Sequence, residues 1–314
     1  MSEPVSLATT ASLLAAGIGG VLVIASLVGA GLKAGMARGR PHAVIDNLNA
    51  RIRAWWVITL VGALALALGN AGITLLFAFA SGVALHEFTR PVAGTGPLRH
   101  ARLAAFALVL PLQYVSVWQG WAIAGALLVP GCAAASLLLG RTDDERQQAR
   151  TLATGLLLCV HCVSYAPAIL ALTIPGHAGR NALLVVFLVV VVQASDVLQY
   201  IWGMLAGRHR IAPRVSPTKT VEGTVGGIAS ATALGAGLAW ATPFSVGEAA
   251  AISLAITVLG FAGGLLFSAA KRRRGIKDWG TLIGGHGGML DRLDSLCLSS
   301  PAFYGLLRYG WGAG

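Results

Sequence analysis

The sequence predicts an all-α integral membrane protein, a polytopic helical bundle of about ten transmembrane helices. Three observations predict it: the composition, the recurrence of apolar runs, and the alternation of basic with uncharged loops. The 314-residue chain is 56% hydrophobic and 11% charged, with a mean hydropathy of +0.74. A soluble domain carries about 25% charged residues. Length alone suits one or two soluble domains, and this composition excludes them.

The apolar runs fall at roughly 11–32, 54–69, 71–87, 102–118, 121–139, 151–174, 181–206, 224–243, 248–270 and 296–309. Most are long enough to cross a hydrocarbon core about 30 Å thick as a helix. The first, Ala11 to Leu32, lacks a basic leader and a small-residue cleavage site, so it reads as a retained helix. The second and third are parted only by Asn70. The last is short and interrupted by Pro301, which admits a re-entrant course. The runs form one membrane domain, divided at most into N-terminal helices (1–174) and a C-terminal region (175–314) that carries the chemistry.

The loops supply the topology. Lys33, Arg38, Arg40, Arg51 and Arg53 lie between runs one and two, and Arg90, Arg99 and Arg102 between three and four. Arg141, Arg146 and Arg150 follow run five, Arg208, Arg210, Arg214 and Lys219 follow run seven, and Lys271 to Arg274 with Lys277 follow run nine. The alternate loops are nearly bare of cations. By the positive-inside tendency the basic loops are cytoplasmic and both termini lie outside. Part of the net charge of +11 is therefore topological. Small residues such as Ala124, Gly125, Gly260, Gly263 and Gly264 are expected where helices approach closely.

The four cysteines, Cys132, Cys159, Cys162 and Cys297, lie in or beside apolar runs. They read as buried small hydrophobes without a disulfide. Cys159-Val160-His161-Cys162 is too compressed for a tetrahedral zinc set.

Half of the twelve acidic residues sit in or beside the last four runs: Asp196, Glu222, Glu248, Asp278, Asp291 and Asp294. Glu248 reads as a solvated helix start. Asp196 interrupts an apolar run, and an ionisable group there faces a partner or a wet cavity; a hydrogen-bonded structural role is the alternative. Glu87, at the end of run three, divides evenly between structure and function. Ser216-Pro217 breaks the chain, placing Ser216, Lys219 and Thr220 at the start of a new helix with Glu222 beyond. A helix N-terminus beside a lysine suits phosphate oxygens, although an ordinary capped start looks the same.

The segment KRRRGIKDWGTLIGGHGGMLDRLD, Lys271 to Asp294, is more specific. Asp291 and Asp294 are three apart and share a helix face. Such carboxylates can bind a hard cation while Arg292 takes a phosphate. Gly284-Gly285-His286-Gly287-Gly288 lets backbone approach a ligand. Lys277-Asp278 adds a cation beside another oxygen donor. Together these describe a site for a polyphosphate with Mg²⁺; a basic loop on anionic headgroups explains only Lys271 to Arg274.

From Ser268 to Asp294 the residues Ser268, Lys271, Arg272, Lys277, Asp278, Gly280, Ile283, Gly284, His286, Gly287, Gly288, Asp291, Arg292 and Asp294 resemble the signature of the CDP-diacylglycerol synthases, the phosphatidate cytidylyltransferases. Ser216-Pro217-x-Lys219-Thr220-x-Glu222-Gly223 with Gly226-Gly227, and Asp196 with Tyr200 and Gly203, are similar to two further stretches of that family. The likeness covers about 180–310 well. It implies condensation of CTP with phosphatidate, releasing pyrophosphate, with Mg²⁺ held by aspartates. Lys219, Lys277, Asp278, His286 and Arg292 are the implied catalytic residues. Ser216, Thr220, Glu222, Ser268, Lys271, Arg272, Gly287 and Gly288 are implied in substrate binding, and Asp278, Asp291, Asp294 and Asp196 in metal binding. The expected partners are CTP, phosphatidate or another lipid phosphate, and membrane lipids; a homodimer is compatible, and nucleic acid is not expected. The expected location is a bacterial inner (plasma) membrane, with the site facing the cytoplasm.

One departure stands out. The family pattern has Gly-Asp-Leu one turn before the signature serine, and a Glu just before that serine. This chain has Gly263-Gly264-Leu265 and Phe267-Ser268, with Ala270 in place of a larger apolar residue. That leaves two alternatives open: a related CTP-dependent enzyme acting on another lipid, and a lipid-binding homologue without catalysis.

Overall fold

The computed structural model describes residues 7–36, 40–92, 96–280 and 287–312. Among them the chain folds into ten helical rods. The first three are α1 (Leu7–Gly35), α2 (Ala43–Ala67) and α3 (Gly69–Thr89). The fourth rod joins α4 (Gly96–Ala104) through a π-helical turn to α5 (Leu110–Trp118). The fifth is α6 (Ala122–Leu137). The sixth joins α7 (Asp143–Gly155) through the π-helical segment Leu156–Cys162 to α8 (Val163–Ala168). The seventh is α9 (Asn181–Ala206), and the last three are α10 (Val221–Gly237), α11 (Val246–Arg273) and α12 (Leu290–Gly310). Seven rods are long and apolar enough by themselves to cross a bilayer.

The boundaries follow local chemistry. Thr142 with Glu145, and Ser245 with Glu248, form reciprocal capping boxes at the starts of α7 and α11, each satisfying backbone N–H groups that a helix start leaves orphaned. The chain turns between α2 and α3 at Gly69, φ +68°, one residue before the expected break at Asn70. The last rod departs from expectation. It is a 21-residue helix that runs through Pro301, and its first turns carry Asp291 and Asp294. The apolar run begins only at 296 because the first turns of this helix, which lie inside the site, are polar.

A second departure lies before α10. Residues Ser216–Thr220 form strand β2, paired antiparallel with β1 (Arg210–Ala212). Ser216 and Lys219 therefore sit on a hairpin rather than on a helix start. Thr220 keeps the expected place, with Glu222 in the first turn beyond it: as N-cap of α10, its Oγ accepts from the Gly223 amide at 3.1 Å.

One buried cluster runs from Ile73 in α3 to Leu307 in α12, so both halves of the chain share a core. The α12 rod packs on α11, α8, α9 and α3. Phe303 of α12, Phe267 and Ile256 of α11 and Leu188 of α9 are among the fully buried side chains of this core. Lipid tails are as apolar as these residues, so close packing rather than water exclusion holds the rods together. Gly263 shows the closeness: a Cβ there would lie 2.5 Å from the Asp294 carbonyl oxygen. By contrast α1 and α2 form a peripheral hairpin with exposed Val21, Ile24, Leu60 and Leu64, as lipid-facing helices require. Lys33 Nζ and the His42 amide both bind the Asp46 carboxylate at the neck of that hairpin and hold its pKa below the usual range. The four cysteines are free thiols.

Several basic ends gather at one end of the bundle. Arg274, at the end of α11, donates to the Phe88 carbonyl at 2.7 Å. Arg272 donates to Val215 in the hairpin turn at 3.2 Å, and Arg51, from the first turns of α2, lies 5.2 Å over the Tyr200 ring.

Candidate active site

Three polar clusters sit at this end, layered around the start of α12. The first is a clasp. Glu87, near the end of α3, is only 5% exposed. Its Oε1 accepts from the Met289 amide at 3.0 Å and its Oε2 from the Leu290 amide at 2.9 Å. A carboxylate from another helix thus caps α12, meeting N–H groups and the positive end of the helix dipole.

The second cluster shapes the glycine loop. Asp291 accepts from Lys271 Nζ at 2.8 Å through Oδ1. Its Oδ2 accepts from the amides of Trp279 (2.9 Å) and Gly288 (2.8 Å). Both oxygens are engaged, which ties α11, the 276–280 segment and the start of α12 together. Trp279 is buried, and its ring lies 4.9 Å from that of Phe88. The Arg274 guanidinium sits 4.2 Å over Phe88 and 4.8 Å over Trp279. Such a stack contributes about 1–2 kcal/mol where water is excluded. Gly287 adopts φ +81°, and a Cβ there would lie 2.6 Å from Asp291 Oδ2. Gly287→Ala is therefore expected to cost about 1–2 kcal/mol from backbone conformation alone, and more from the displaced carboxylate. Thermal unfolding in detergent checks this; an unchanged Tm counts against the packing of Gly287 on the Asp291 carboxylate.

The third cluster surrounds Gly264. The Ser295 hydroxyl donates to Asp196 Oδ2 in a short hydrogen bond and lies 3.2 Å from Asp294 Oδ1. The Ser295 amide also donates to Asp294 Oδ1, at 2.7 Å. A Cβ built on Gly264 would stand 3.2 Å from Lys219 Nζ, 3.9 Å from Asp294 Oδ2 and 4.0 Å from Ser295 Oγ. Asp196, Asp294, Ser295 and Lys219 thus face one small space over a glycine. Lys219 is held there partly by Phe261, whose ring centre is 4.7 Å from Nζ. Asp196 lies ten residues before the end of α9, a depth of about 15 Å at 1.5 Å per residue.

The remaining expected residues spread around this core. Lys271 links the second and third clusters, since its charge acts on Asp294 as well as pairing Asp291. Arg292 lies between Asp291 and Asp294 on α12; its charge feels both and Asp196, and its carbonyl accepts from Gln193 Nε2 at 2.9 Å. Asp278 stands beside Gly287, whose Cβ would be 3.4 Å from its own. Lys277 and Asp278 are exposed, and Ser268 is half-buried one turn beyond Gly264 on α11. Gly288 packs against Glu87. Glu222 is turned to the hairpin, accepting from the Arg208 and His209 amides and pairing with His209 Nδ1 at 2.6 Å. Arg272 spends its guanidinium on the carbonyls of Val215 and Ile276. His286, with Gly284 and Gly285, lies outside the described residues. Among the described residues no three His, Cys, Asp or Glu side chains form a ready metal cluster; Asp196 and Asp294 both neighbour the Ser295 hydroxyl.

Sequence reasoning overlooked Ser295, which joins those two carboxylates, and the Phe88–Trp279–Arg274 stack. It left Glu87 undecided. Its signal was present, since a carboxylate at the end of an apolar run requires a partner.

The sequence profile of the cytidylyltransferase family matches residues 49–310. The chain is 33% identical to the uncharacterized protein YnbB of Escherichia coli (strain K12) over 276 residues, 84% of this chain and 88% of that one. It is 30% identical to a phosphatidate cytidylyltransferase of Brucella abortus biovar 1 over 269 residues, 83% and 93% of the two chains. With a phosphatidate cytidylyltransferase of Mycobacterium leprae it shares 34% identity over 245 residues, 72% and 76% of the two.

Proposed function

From the premise that this chain belongs to the cytidylyltransferase family, we propose that it condenses CTP with phosphatidate to CDP-diacylglycerol and pyrophosphate. The observation that carries the reading is the convergence of Asp196, Asp294 and Lys219 over Gly264, at the end where the basic segments gather. A phosphate oxygen of phosphatidate attacks the α-phosphorus of CTP. The bond from that phosphorus to the α,β-bridging oxygen breaks, and pyrophosphate leaves with the electron pair. No covalent enzyme intermediate is needed, so positioning and charge carry the rate. Lys219 and Lys271 lie where phosphate charge would be neutralised, with Arg292, Lys277 and Asp278 around the rim. Gly287 and Gly288 let the Asp291 and Glu87 carboxylates pack close on the loop that borders the site. The basic end of the bundle faces the cytoplasm in this reading, where CTP is supplied.

The donor set fits Mg²⁺. This ion commonly takes one or two carboxylates and fills its shell with water and substrate phosphates. Asp196 and Asp294 are such a pair, joined through Ser295, and a divalent cation would relieve the repulsion between two like charges at this depth. Bound there, Mg²⁺ supplies neutralisation of the phosphate oxygens. Asp291, with both oxygens committed, serves in this reading to hold the loop and Lys271.

A second reading, the same chemistry on another lipid phosphate, is favoured by Gly264, where Lys219 Nζ occupies the space that a longer side chain would enter. Purified protein with CTP and phosphatidate is expected to form CDP-diacylglycerol only with Mg²⁺. No product from folded, lipid-supplied protein would overturn the phosphatidate assignment, and product from a different lipid phosphate would establish the second reading. Asp196→Asn is expected to lower turnover by about 10- to 100-fold; an unchanged rate would return Asp196 to a structural role.

A further inference from the structure

We propose that the opposite end of the bundle holds a second, non-catalytic site for a phospholipid headgroup, one carrying both a phosphate and a hydrogen-bond donor. A small cavity of about 60 Å³, open to the outside, lies between α5, α6, α8 and α12. Gln113, Ser164, Tyr165, Tyr304, Arg308 and Trp121 contribute to its lining. Along α12, Arg308 is 14 residues beyond Asp294, about 21 Å at 1.5 Å per residue. The cavity is therefore separate from the carboxylate site.

Gln113 is the decisive residue. It is 2% exposed, and its Oε1 is buried with no hydrogen-bond partner. Its orientation is settled by its neighbours. Ser164 Oγ donates its single proton to the His161 carbonyl at 2.7 Å, so it must accept from Gln113 Nε2, at 2.9 Å. The oxygen of Gln113 is thus fixed as an acceptor awaiting a donor. A buried polar atom left so costs about 1–3 kcal/mol, and a hydroxyl or ammonium group would satisfy it.

Arg308 supplies the complementary charge. Its Nη1 donates to Tyr304 Oη at 3.3 Å, which places a guanidinium, the side chain best matched to a phosphate, among the lining groups. The surroundings indicate a lipid. Trp118 and Trp121, 52% and 59% exposed, flank the turn beside the cavity, and Tyr309 next to Arg308 is 88% exposed. Exposed aromatic residues collect at headgroup level. The geometry therefore presents a cation, an unmet acceptor and an apolar flank at the depth of a phospholipid headgroup, in the leaflet opposite the carboxylates.

Detergent-solubilised full-length protein is titrated with dihexanoyl-phosphatidylglycerol and, separately, with inorganic phosphate. Saturable lipid binding is expected, weaker by about tenfold or more in Arg308→Ala and also weakened in Gln113→Leu, with CTP turnover unchanged in both. Phosphate alone is expected to bind far more weakly. Equal lipid affinity in wild type and both variants overturns the site. So does the absence of saturable binding, which would leave water as the donor to Gln113. Phosphate binding as tightly as the lipid overturns the lipid assignment. The thermal unfolding of Gln113→Leu serves as the folding control, and Arg308→Ala, at an exposed position, carries the test if that variant misfolds.

Discussion

Asp294→Asn is expected to lower Mg²⁺-dependent CTP turnover by about 10²- to 10³-fold, with insertion and thermal stability retained. The substitution keeps the side chain's shape. An amide oxygen can still accept from the Ser295 backbone N–H, as Oδ1 does now at 2.7 Å. The negative charge beside Oδ2, over Gly264, is what disappears. Because Asp196 faces the same space through Ser295, neutralising one member of a like-charged pair relieves repulsion rather than adding strain. Steady-state turnover, with unfolding followed in parallel, decides the matter. A wild-type rate removes Asp294 from the site, and a loss that tracks unfolding makes its role structural.

Glu87→Ala should have the largest effect on stability, about 3 kcal/mol or more. Two backbone amides of α12 lose an ionised acceptor at once, and hydrogen bonds to charged groups contribute about 1.5–3 kcal/mol each. Glu87→Gln retains one acceptor oxygen but turns an NH₂ toward the second amide, so it falls between the alanine variant and wild type. Thermal unfolding of the three proteins in one detergent measures the order. If the alanine and glutamine variants unfold with the wild type, Glu87 does not hold α12.

The bundle itself was legible because bilayers impose a strong rule. Every spanning segment satisfies its own backbone, so helices of the right length recur and flanking charge marks their ends. The run 181–206 coincides with α9 for this reason. The rule weakens where polar function invades a helix. Asp291, Arg292 and Asp294 suppressed the hydropathy of α12, and its start went unread. The hairpin before α10 was missed because Ser216-Pro217 looks like a helix entry, and short strands leave little periodicity. In the candidate site, the sequence offered residue types but not their pairings. Lys271 beside Asp291 and Ser295 between two aspartates depend on how α9, α11 and α12 meet, which no local pattern encodes.

The clasp on α12 also constrains the order in which the molecule can be made. Glu87 and its partners are 202 and 203 residues apart in the chain. At translation rates of about 5–20 residues per second, α3 waits about 10–40 s for the helix it will cap. Throughout that interval its carboxylate must stay hydrated or be held by the insertion machinery, because a bare charge in hydrocarbon is costly. The clasp between α3 and α12 therefore cannot close until Met289 and Leu290 have been made, so the joining of the two halves of the core is a late event in the assembly of the bundle.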